Sequence, residues 1–244
     1  MKFRLLLHEH ENAYKNMAID EALLNSGIPT LRLYKWKPSA ISIGYFQSLE
    51  EEVNIDACRR NSIDVVRRIT GGGAVYHDSI GEITYSIVLP ATMFPSILES
   101  YKAIGRCLVN GLERIGLKAE YAGINDIVVN GKKISGSAQT RRHGIILQHG
   151  TILLKVNVKK MFSLLKVTEK KIMDKEIKKV EERVTSIEKE IGKVNEEGIK
   201  EAIIKGFQIG LNAELEEGEL NEKEIEAATQ LVKKYESREW NFKR

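Results

Sequence analysis

Two arginines followed by three consecutive glycines form the segment that most restricts how this chain folds. Arg67 and Arg68 leave a predicted strand that begins at Ile63, and they lead into the glycines at positions 71–73. Glycine reaches positive φ and lets main-chain N–H groups approach a ligand closely, and successive N–H groups in such a turn form an anion-binding concavity. Arginine adds planar, charged donors that suit phosphate and carboxylate. We therefore expect a tight turn here that binds an anionic, phosphorylated ligand.

The composition indicates one folded, charge-rich domain. The chain has 244 residues, of which 42% are hydrophobic and 30% charged, with a net charge of +4. Lysines and glutamates alternate along the chain, so it lacks the concentrated basic surface of a nucleic-acid-binding protein. Cys58 and Cys107 are far apart in sequence and predict neither a disulfide framework nor a metal site. No segment has the ~18 apolar residues of a membrane span, so we expect a cytoplasmic protein without nucleic-acid or membrane partners.

Hydrophobic periodicity predicts helices and strands mixed in one α+β domain over residues 1–244. The predicted helices span 13–25 with Asn12 as N-cap, 54–61, 96–116 with Ser96 as N-cap, a polar 159–182, 199–211 and 225–235. The predicted strands span 5–7, 31–36, 40–45, 63–68, a half-buried 83–89, 126–129, 132–135 and 145–154. Two hairpins are expected, one joining 31–36 to 40–45 and one turning at Asn130-Gly131. The helices are expected to flank an antiparallel or mixed sheet.

A second polar segment, residues 125–138, carries two adjacent lysines on a predicted hairpin. Neighbouring strand residues point to opposite faces, so one of Lys132 and Lys133 is expected to point inward. An inward lysine beside an anion-binding turn would neutralise charge on a reacting phosphoryl or acyl group. Two lysines on an exposed turn are the alternative. The small residues at 136–138 favour the inward lysine, because they let the backbone run close against a ligand.

Three other polar clusters each have two interpretations. His149 interrupts a buried apolar strand, so it is either a hydrogen-bonded core histidine or a pocket residue. Asp20 and Glu21 are either an exposed acidic pair on the first helix or part of a site. His8 and His10 lack the further ligands that a metal site needs. From the residues alone, the sequence predicts an enzyme that binds a phosphorylated ligand at the glycine turn, assisted by a lysine.

These segments resemble the lipoate–protein ligase family, within the wider biotin/lipoate ligase and octanoyltransferase superfamily. Matching segments occur in family order over nearly the whole chain, at residues 16–23, 67–78, 125–138, 149–151, 183–185 and 239–241. The string Arg-Arg-x-Thr-Gly-Gly-Gly-Ala-Val-Tyr-His-Asp is the most specific of them. The resemblance implies a biotin/lipoate-ligase catalytic fold, with a central mixed β-sheet flanked by helices and related to class II aminoacyl-tRNA synthetases.

The resemblance also implies a two-step reaction that uses ATP and Mg²⁺. Lipoate, or octanoate, would react with ATP to give an acyl-adenylate, and the lysine of a lipoyl domain would then attack the acyl carbon. By motif position, Lys133 is the expected catalytic residue and Asp126 the expected metal ligand. The residues expected to bind ATP or the adenylate are Arg68, Gly71, Gly72, Gly73, Ala74, Val75, Tyr76, His77, Asn125, Asp126 and Lys133. Those expected to bind lipoate are Thr70, Lys133, Gly136, Ser137, Ala138 and His149.

Protein partners follow from the same resemblance. The acceptor would be a lipoyl domain of a 2-oxoacid dehydrogenase subunit or a glycine-cleavage carrier protein. Many family members carry a C-terminal domain that supports adenylation, and this chain ends just after Trp240, where that domain would start. We therefore expect a catalytic domain without the accessory domain, which either works alone or needs a separate small accessory subunit. The single chain is expected to adenylate lipoate poorly.

Three other functions are compatible with the motifs. An octanoyltransferase would take the acyl group from acyl carrier protein without ATP, through a cysteine in or beside the pocket. Cys58 and Cys107 are both predicted on helices, away from pocket loops. A biotin ligase would interleave arginines between its glycines, and a non-catalytic adenylate-binding protein would not need Lys133. ATP-dependent lipoate ligation is therefore the expected activity, and octanoyl transfer is the first alternative.

Overall fold

The computed structural model describes residues 1–166 and 170–243 as an α+β fold, the class predicted from the sequence. Its strands are β1 (Lys2–Glu11), β2 (Thr30–Trp36), β3 (Ala40–Ile43), β4 (Asp64–Arg67), β5 (Val75–His77), β6 (Glu82–Pro90), β7 (Ala119–Ala122), β8 (Asp126–Val129), β9 (Lys132–Arg142), β10 (Ile145–Leu153) and β11 (Glu214–Glu217). Its helices are α1 (Ala13–Ser26), α2 (Leu49–Glu52), α3 (Ile55–Arg60), α4 (Ile97–Arg114), α5 (Val158–Leu164), α6 (Lys170–Arg183), α7 (Ile187–Ile191), α8 (Glu196–Leu211), α9 (Glu222–Glu236) and α10 (Arg238–Asn241).

The predicted long helices are present, and local capping explains where they begin. The side chain of Asn12 accepts a hydrogen bond from the N–H of Lys15, and that of Ser96 accepts one from Glu99, as both predicted N-caps require. The predicted helix at 159–182 is interrupted: α5 and α6 cover parts of it, Leu165 forms a β-bridge with Val53 instead, and positions 167–169 lie outside the described residues. None of the described helices is long and apolar enough to cross a membrane.

The strands form two sheets. The large mixed sheet has eight strands in the order β11-β1-β2-β6-β10-β9-β8-β7, and β1 runs parallel to both of its neighbours. The small sheet has the order β4-β3-β5. Because β6 lies near the middle of the large sheet, helices cover both of its faces. The prediction that 83–89 is half-buried is therefore wrong, since every residue of β6 except Pro90 is buried.

The predicted hairpin between 31–36 and 40–45 is also wrong, although both strands exist. β2 pairs with β1 and β6 in the large sheet, whereas β3 pairs with β4 and β5 in the small one. The segment 37–39 therefore carries the chain from one sheet to the other. The edges of both strands are taken by distant segments, and the local turn sequence contains no information about those partners.

Two helical layers cover the large sheet. Because successive strand residues face opposite sides, β2 contributes Leu31 and Leu33 to one core and Tyr34 and Trp36 to the other. The first core is closed by α4 and α8, and the second by α1 and α9. A third, smaller core lies under the small sheet. This arrangement brings the inner residues of α1, β6 and β10 next to the strands that flank the glycine turn.

Candidate active site

The glycine turn connects β4 to β5 and opens onto a cavity of about 380 Å³, a volume typical of small-molecule sites. Residues of both sheets line it. The predicted site residues among its lining are Arg68, Gly72, Gly73, Ala74, Val75, Tyr76, His77, Asn125, Lys133, Gly136, Ser137, Ala138 and His149. Thr70, Gly71 and Asp126 do not line the cavity and instead contact residues that do. Lys133 and the glycine turn, which are far apart in sequence, thus share one cavity.

Arg68 supports the turn from inside the protein. The residue is only 4% exposed, and burial lowers the pKa of its guanidinium to about 10. Its Nε donates to Thr70 Oγ1, and its Nη1 donates to the carbonyl and hydroxyl oxygens of Ser42. Its Nη2 donates to the carbonyl oxygens of Gly71 and Gly73, both at 2.8 Å. All five N–H groups of the guanidinium are therefore used within the protein.

These contacts set the direction of the main-chain amides in the turn. In a planar trans peptide the C=O and the following N–H point in opposite directions, so the N–H groups of Gly72 and Ala74 point away from Arg68. Both residues line the cavity. Gly72 has φ +94°, and a Cβ there would lie 2.9 Å from Arg68 Nη2, so glycine is required. Within the described ranges, the amides at positions 71–73 donate to no protein acceptor.

A buried chain of hydrogen-bonded polar groups lies behind the turn and ends at Asp20 of α1. His149 Nε2 is 2.7 Å from Thr70 Oγ1, and His149 Nδ1 is 2.9 Å from Asp20 Oδ2. Burial alone would raise the pKa of Asp20, but hydrogen bonds and charges from His149 and Arg32 lower it. Burial lowers the pKa of His149, so its ring is neutral. His149 is thus both a hydrogen-bonded core residue and a cavity residue.

Of the two interpretations of Asp20 and Glu21, the exposed acidic pair is wrong. Asp20 is 1% exposed and Glu21 is 5% exposed. Asp20 accepts hydrogen bonds from Arg32 and Ser86, while Glu21 accepts from Lys234 and Tyr235 of α9. The helix period places them on different faces of α1, and each face is covered by a different part of the protein. Local sequence around α1 contains no sign of partners that lie up to 214 positions away.

A second chain of the same kind begins at Ser42 on β3. Ser42 Oγ is 2.8 Å from His77 Nε2, and His77 Nδ1 is 2.7 Å from Glu82 Oε1. The ring of Trp36 stacks on His77 with a centroid distance of 3.9 Å. Glu82 Oε1 also accepts a hydrogen bond from the Thr84 hydroxyl, so the same carboxylate oxygen is shared by two partners. Glu82 and Ser42 were not predicted as site residues, because nothing local distinguishes them from ordinary strand residues.

Lys133 lies on β9, one residue after the solvent-exposed Lys132. Its Nζ is 2.6 Å from Asp126 Oδ1 on the neighbouring strand, and 40% of its side chain is exposed. A Cβ on Gly136 would lie 2.6 Å from the same Nζ, so glycine leaves room for the amine. The turn before β9 has the predicted hairpin geometry, with positive φ at both Asn130 and Gly131. The hairpin therefore delivers one lysine into the cavity and leaves the other in solvent.

The polar groups near Lys133 do not suit a magnesium ion. The carboxylate of Asp126 is paired with an ammonium group, which repels a divalent cation. In the portion of the chain that the structure describes, no three acidic, histidine or cysteine side chains come together as metal ligands. Mg²⁺ normally needs carboxylates together with water or substrate phosphates. The prediction of Asp126 as a metal ligand therefore has no support from the surrounding donor set.

The cavity also has an apolar wall that the sequence motifs did not indicate. Its residues come from α1, β2, β10, α5 and α6 and from the position just after α6, and they include Met17, Trp36, Leu153, Val158, Met161, Val180 and Val184. These side chains occupy ordinary core positions of amphipathic helices and strands. Hydrophobic periodicity identifies such positions as buried but gives no means of telling a packed core from a cavity wall. Apolar lining suits a hydrocarbon chain.

Neither cysteine belongs to this site. Cys58 and Cys107 are both buried, and neither lines the cavity. Burial raises the pKa of the Cys58 thiol to about 11 and that of Cys107 to about 12. Because the thiolate is the reactive form, neither residue is an activated nucleophile at neutral pH. The sequence-based placement of both cysteines on helices away from the pocket is confirmed.

Comparisons with known proteins agree with this arrangement. The family described as lipoyl protein ligase A/B catalytic domain matches residues 12–208. Octanoyltransferase LipM from Clostridioides difficile is 37% identical over 266 residues, covering 96% of this chain and 97% of that protein. A chain from the structural analysis of a bi-partite lipoate protein ligase and its E2 lipoyl domain from Thermoplasma acidophilum has a TM-score of 0.93 and 35% identity, covering 99% of this chain and 96% of that chain. A lipoate-protein ligase A bound with ATP has a TM-score of 0.87 and 33% identity, covering 99% of both chains.

These relatives confirm the fold and overturn part of the predicted chemistry. Other curated relatives, 34–38% identical, are also octanoyltransferases. An octanoyltransferase moves an acyl group that is already activated, so it has no need of ATP to activate a free acid. The prediction of an ATP-dependent, adenylate-forming ligase is therefore wrong, and so is the prediction of ATP and Mg²⁺ as cofactors. The first alternative, acyl transfer without ATP, is the better supported one.

Proposed function

Since the chain belongs to the family of the lipoyl protein ligase A/B catalytic domain, we propose that it is an octanoyltransferase. Its donor is an octanoyl group carried as a thioester on acyl carrier protein, and its acceptor is a lysine of a lipoyl domain. The observation that carries this proposal is the near full-length similarity to octanoyltransferases, which covers 97% and 99% of the lengths of two of these relatives. The product is an amide between the acyl group and the lysine ε-nitrogen.

The cavity suits a medium-length acyl chain. Its apolar wall, with Met17, Trp36 and Val184 among its residues, removes hydrocarbon from water. Its polar groups include the Lys133 amine and the amides of Gly72 and Ala74. An acyl chain bound along the apolar wall would present its carbonyl to these donors. Such donors bind an oxyanion more strongly than a ground-state carbonyl, which is the requirement for catalysis of acyl transfer.

We assign a direct transfer, because no thiol is among the described residues that line the cavity. The deprotonated acceptor amine attacks the thioester carbonyl carbon, and a C–N bond forms while the negative charge moves to oxygen. Lys133 and the Gly72 and Ala74 amides stabilise that charge. The C–S bond then breaks, and the departing thiolate takes the proton that the nitrogen loses. Asp126, 2.6 Å from the Lys133 amine, holds that amine in place. The sequence led us to expect that an octanoyltransferase acts through a cysteine in or beside the pocket. The direct transfer proposed for this chain does not use one.

The defining experiment compares acyl donors with one acceptor. The chain is incubated with a lipoyl domain and octanoyl-acyl carrier protein in EDTA, with octanoate alone, or with octanoate plus Mg-ATP, and the domain is weighed by mass spectrometry. We expect one octanoyl group to be added in the first arm only. A lipoyl domain whose target lysine is replaced by arginine is the control and should stay unmodified. Modification that occurs only with free octanoate and Mg-ATP would overturn the proposal.

Direct transfer has its own test. The variant Cys58→Ser/Cys107→Ser should keep most of the wild-type rate, because neither thiol meets the substrate. Intact-mass analysis after incubation with octanoyl-acyl carrier protein alone should show no acylated form of the chain. Initial rates measured against both substrates should give intersecting lines in double-reciprocal plots. A stable acyl-enzyme, with parallel lines, would show that a covalent intermediate forms instead.

A further inference from the structure

Two hydrogen-bond chains end on the Arg68 guanidinium, and each consists of a hydroxyl, a histidine and a carboxylate. One runs from Arg68 Nε through Thr70 and His149 to Asp20. The other runs from Arg68 Nη1 through Ser42 and His77 to Glu82. We propose that His77 and His149 are positioning residues that fix Arg68, and through it the Gly72 and Ala74 amides, for acyl transfer. The kinetic part of this inference rests on the proposed function.

The direction in which the hydrogen bonds of the first chain are donated follows from the carboxylate at its buried end. Asp20 also accepts hydrogen bonds from Arg32, Tyr34 and Ser86, so its carboxylate is ionised and His149 Nδ1 carries the proton. The neutral ring then has an unprotonated Nε2, which accepts the hydroxyl proton of Thr70. With its proton directed to histidine, the Thr70 oxygen has its lone pairs available for the Arg68 N–H.

The second chain has the same direction. Glu82 accepts the Thr84 hydroxyl proton at 2.9 Å as well as the proton on His77 Nδ1. The unprotonated Nε2 of His77 accepts from Ser42, whose oxygen accepts from Arg68 Nη1 at 3.1 Å. Every hydroxyl in both chains therefore donates toward histidine and accepts from the guanidinium. If either ring carried its proton on Nε2 instead, the hydroxyl would have to accept two N–H donors and its own proton would lose its acceptor.

The two hydroxyl contacts hold the guanidinium in one plane. That plane determines where Nη2 points. Nε and Nη1 are held by the hydroxyls of the two chains, which leaves Nη2 facing the Gly71 and Gly73 carbonyls. Those carbonyls turn the following amides toward the cavity. Amides held in place before the reaction stabilise an oxyanion without a reorganisation cost. Loss of one anchor is therefore expected to reduce turnover more than substrate binding.

The first test reads the protonated nitrogen of each histidine directly. Long-range ¹H–¹⁵N spectra of the full chain with ¹⁵N-labelled histidine, recorded at about pH 8, should show the ring proton on Nδ1 at both His77 and His149. His8 is an internal contrast: its Nδ1 accepts from Arg32 Nε, so its proton should be on Nε2. Nε2 protonation at His77 or His149 would overturn the inference, whatever reaction the protein catalyses.

The second test breaks one anchor without changing side-chain volume much. Thr70→Val should lower kcat about 10- to 100-fold and leave the KM for the lipoyl domain within about 3-fold, since one oriented contact is lost. Thr70→Ser should restore most of the rate because it restores the hydroxyl. Ser42→Ala should act similarly, and the double variant should lose less than the product of the two factors, because both act on Arg68. A loss confined to KM, or strictly multiplicative losses, would contradict a shared positioning role. If the wild type transfers no octanoyl group, the proposed function fails while the tautomer test still decides this inference.

Discussion

Lys133 meets both of the requirements for an oxyanion donor, since its amine lies in the cavity and its charge is balanced by Asp126 at 2.6 Å. Lys133→Met keeps most of the side-chain length and removes the charge. We expect kcat/KM for octanoyl transfer to fall about 10²- to 10³-fold, which is typical for loss of one such donor. The melting temperature should change little, because 40% of the side chain is exposed. Initial rates of lipoyl-domain modification measure the effect.

Lys132→Met is the matched control for this prediction. It removes the same charge from the neighbouring position of β9, whose side chain is in solvent. Its rate should stay within about 2-fold of the wild type, because exposed charges have weak effects. Equal losses in both variants would mean that general positive charge, and not a placed amine, promotes the reaction.

His8 makes the stability of the protein depend on pH. Burial, with the Arg32 guanidinium beside the ring, lowers the pKa of His8 to about 4. Between about pH 6.5 and 4 the unfolded chain therefore binds a proton that the folded chain excludes, so stability falls as the pH falls. His8→Gln removes this titration. The free energy of unfolding in urea should be measured at about pH 7.5 and pH 5. Its decrease between these pH values should be smaller in the variant than in the wild type by about 1–2 kcal/mol, a figure that allows for the partial exposure of His8.

The exposed histidine two residues further along β1 provides the comparison. His10→Gln should leave the pH dependence of unfolding as it is in the wild type, because its ring is in solvent. Burial also lowers the pKa of His149, so this residue makes stability depend on pH in the same direction as His8 does. Because His149 is present in the wild type and in both variants, its effect cancels in the comparison. A His8→Gln variant with an unchanged pH dependence would rule out this origin.

At the scale of elements, α4 and α8 approach each other more closely than ordinary side chains allow. A Cβ on Gly206 would lie 2.2 Å from the Cys107 carbonyl oxygen and 2.5 Å from the Gly111 nitrogen. Both are backbone atoms of α4, so the helices themselves would have to separate. We expect Gly206→Ala to destabilise the protein by about 3 kcal/mol, the upper end for an overpacked core. Chemical unfolding at constant pH measures this loss.

Lys205→Ala is the control on α8, since it changes the adjacent, exposed position. Its free energy of unfolding should stay within about 0.5 kcal/mol of the wild type. A Gly206→Ala variant as stable as this control would mean that the two helices have room to move apart.

The elements also show which predictions succeed from local sequence. Asn130-Gly131 predicted a hairpin correctly, because the turn chemistry of two positive-φ residues is contained in the dipeptide itself. The hairpin predicted around 37–39 failed, because β2 and β3 pair with strands from elsewhere in the chain. Capping at Asn12 and Ser96 was predictable because it is also local, like the Asn130-Gly131 turn. Each cap and the amide that it binds are three residues apart.

At the scale of the whole molecule, the last helix holds the strand that delivers the glycine turn. Trp240 Nε1 donates to the Arg67 carbonyl oxygen at 2.8 Å, and Asn241 Oδ1 accepts from the Arg67 N–H at 2.7 Å. Trp240→Ala is expected to lower stability by about 2–3 kcal/mol through lost packing and the loss of the hydrogen bond to the Arg67 carbonyl oxygen. Amide hydrogen exchange should accelerate at residues 67–74, and the octanoyl-transfer rate should fall with it.

Glu239→Ala changes the neighbouring exposed position of α10 and should leave both the exchange rates and the activity unchanged. If Trp240→Ala instead lowers stability without faster exchange at 67–74, the last helix stabilises the fold but does not hold the turn.

The sequence by itself determined the local geometry of the site and the family to which the chain belongs. The glycine turn, the Asn-Gly hairpin and Lys133 were all readable, because each depends on backbone preferences within a few residues. Only the tertiary structure decided that Arg68 donates to the carbonyls of the turn, that Asp20 and Glu82 are buried behind the two histidines, and that apolar residues of separate elements form one cavity. These contacts join segments far apart in the chain, and their energies come from burial, which the sequence indicates only as a pattern and not as a set of partners.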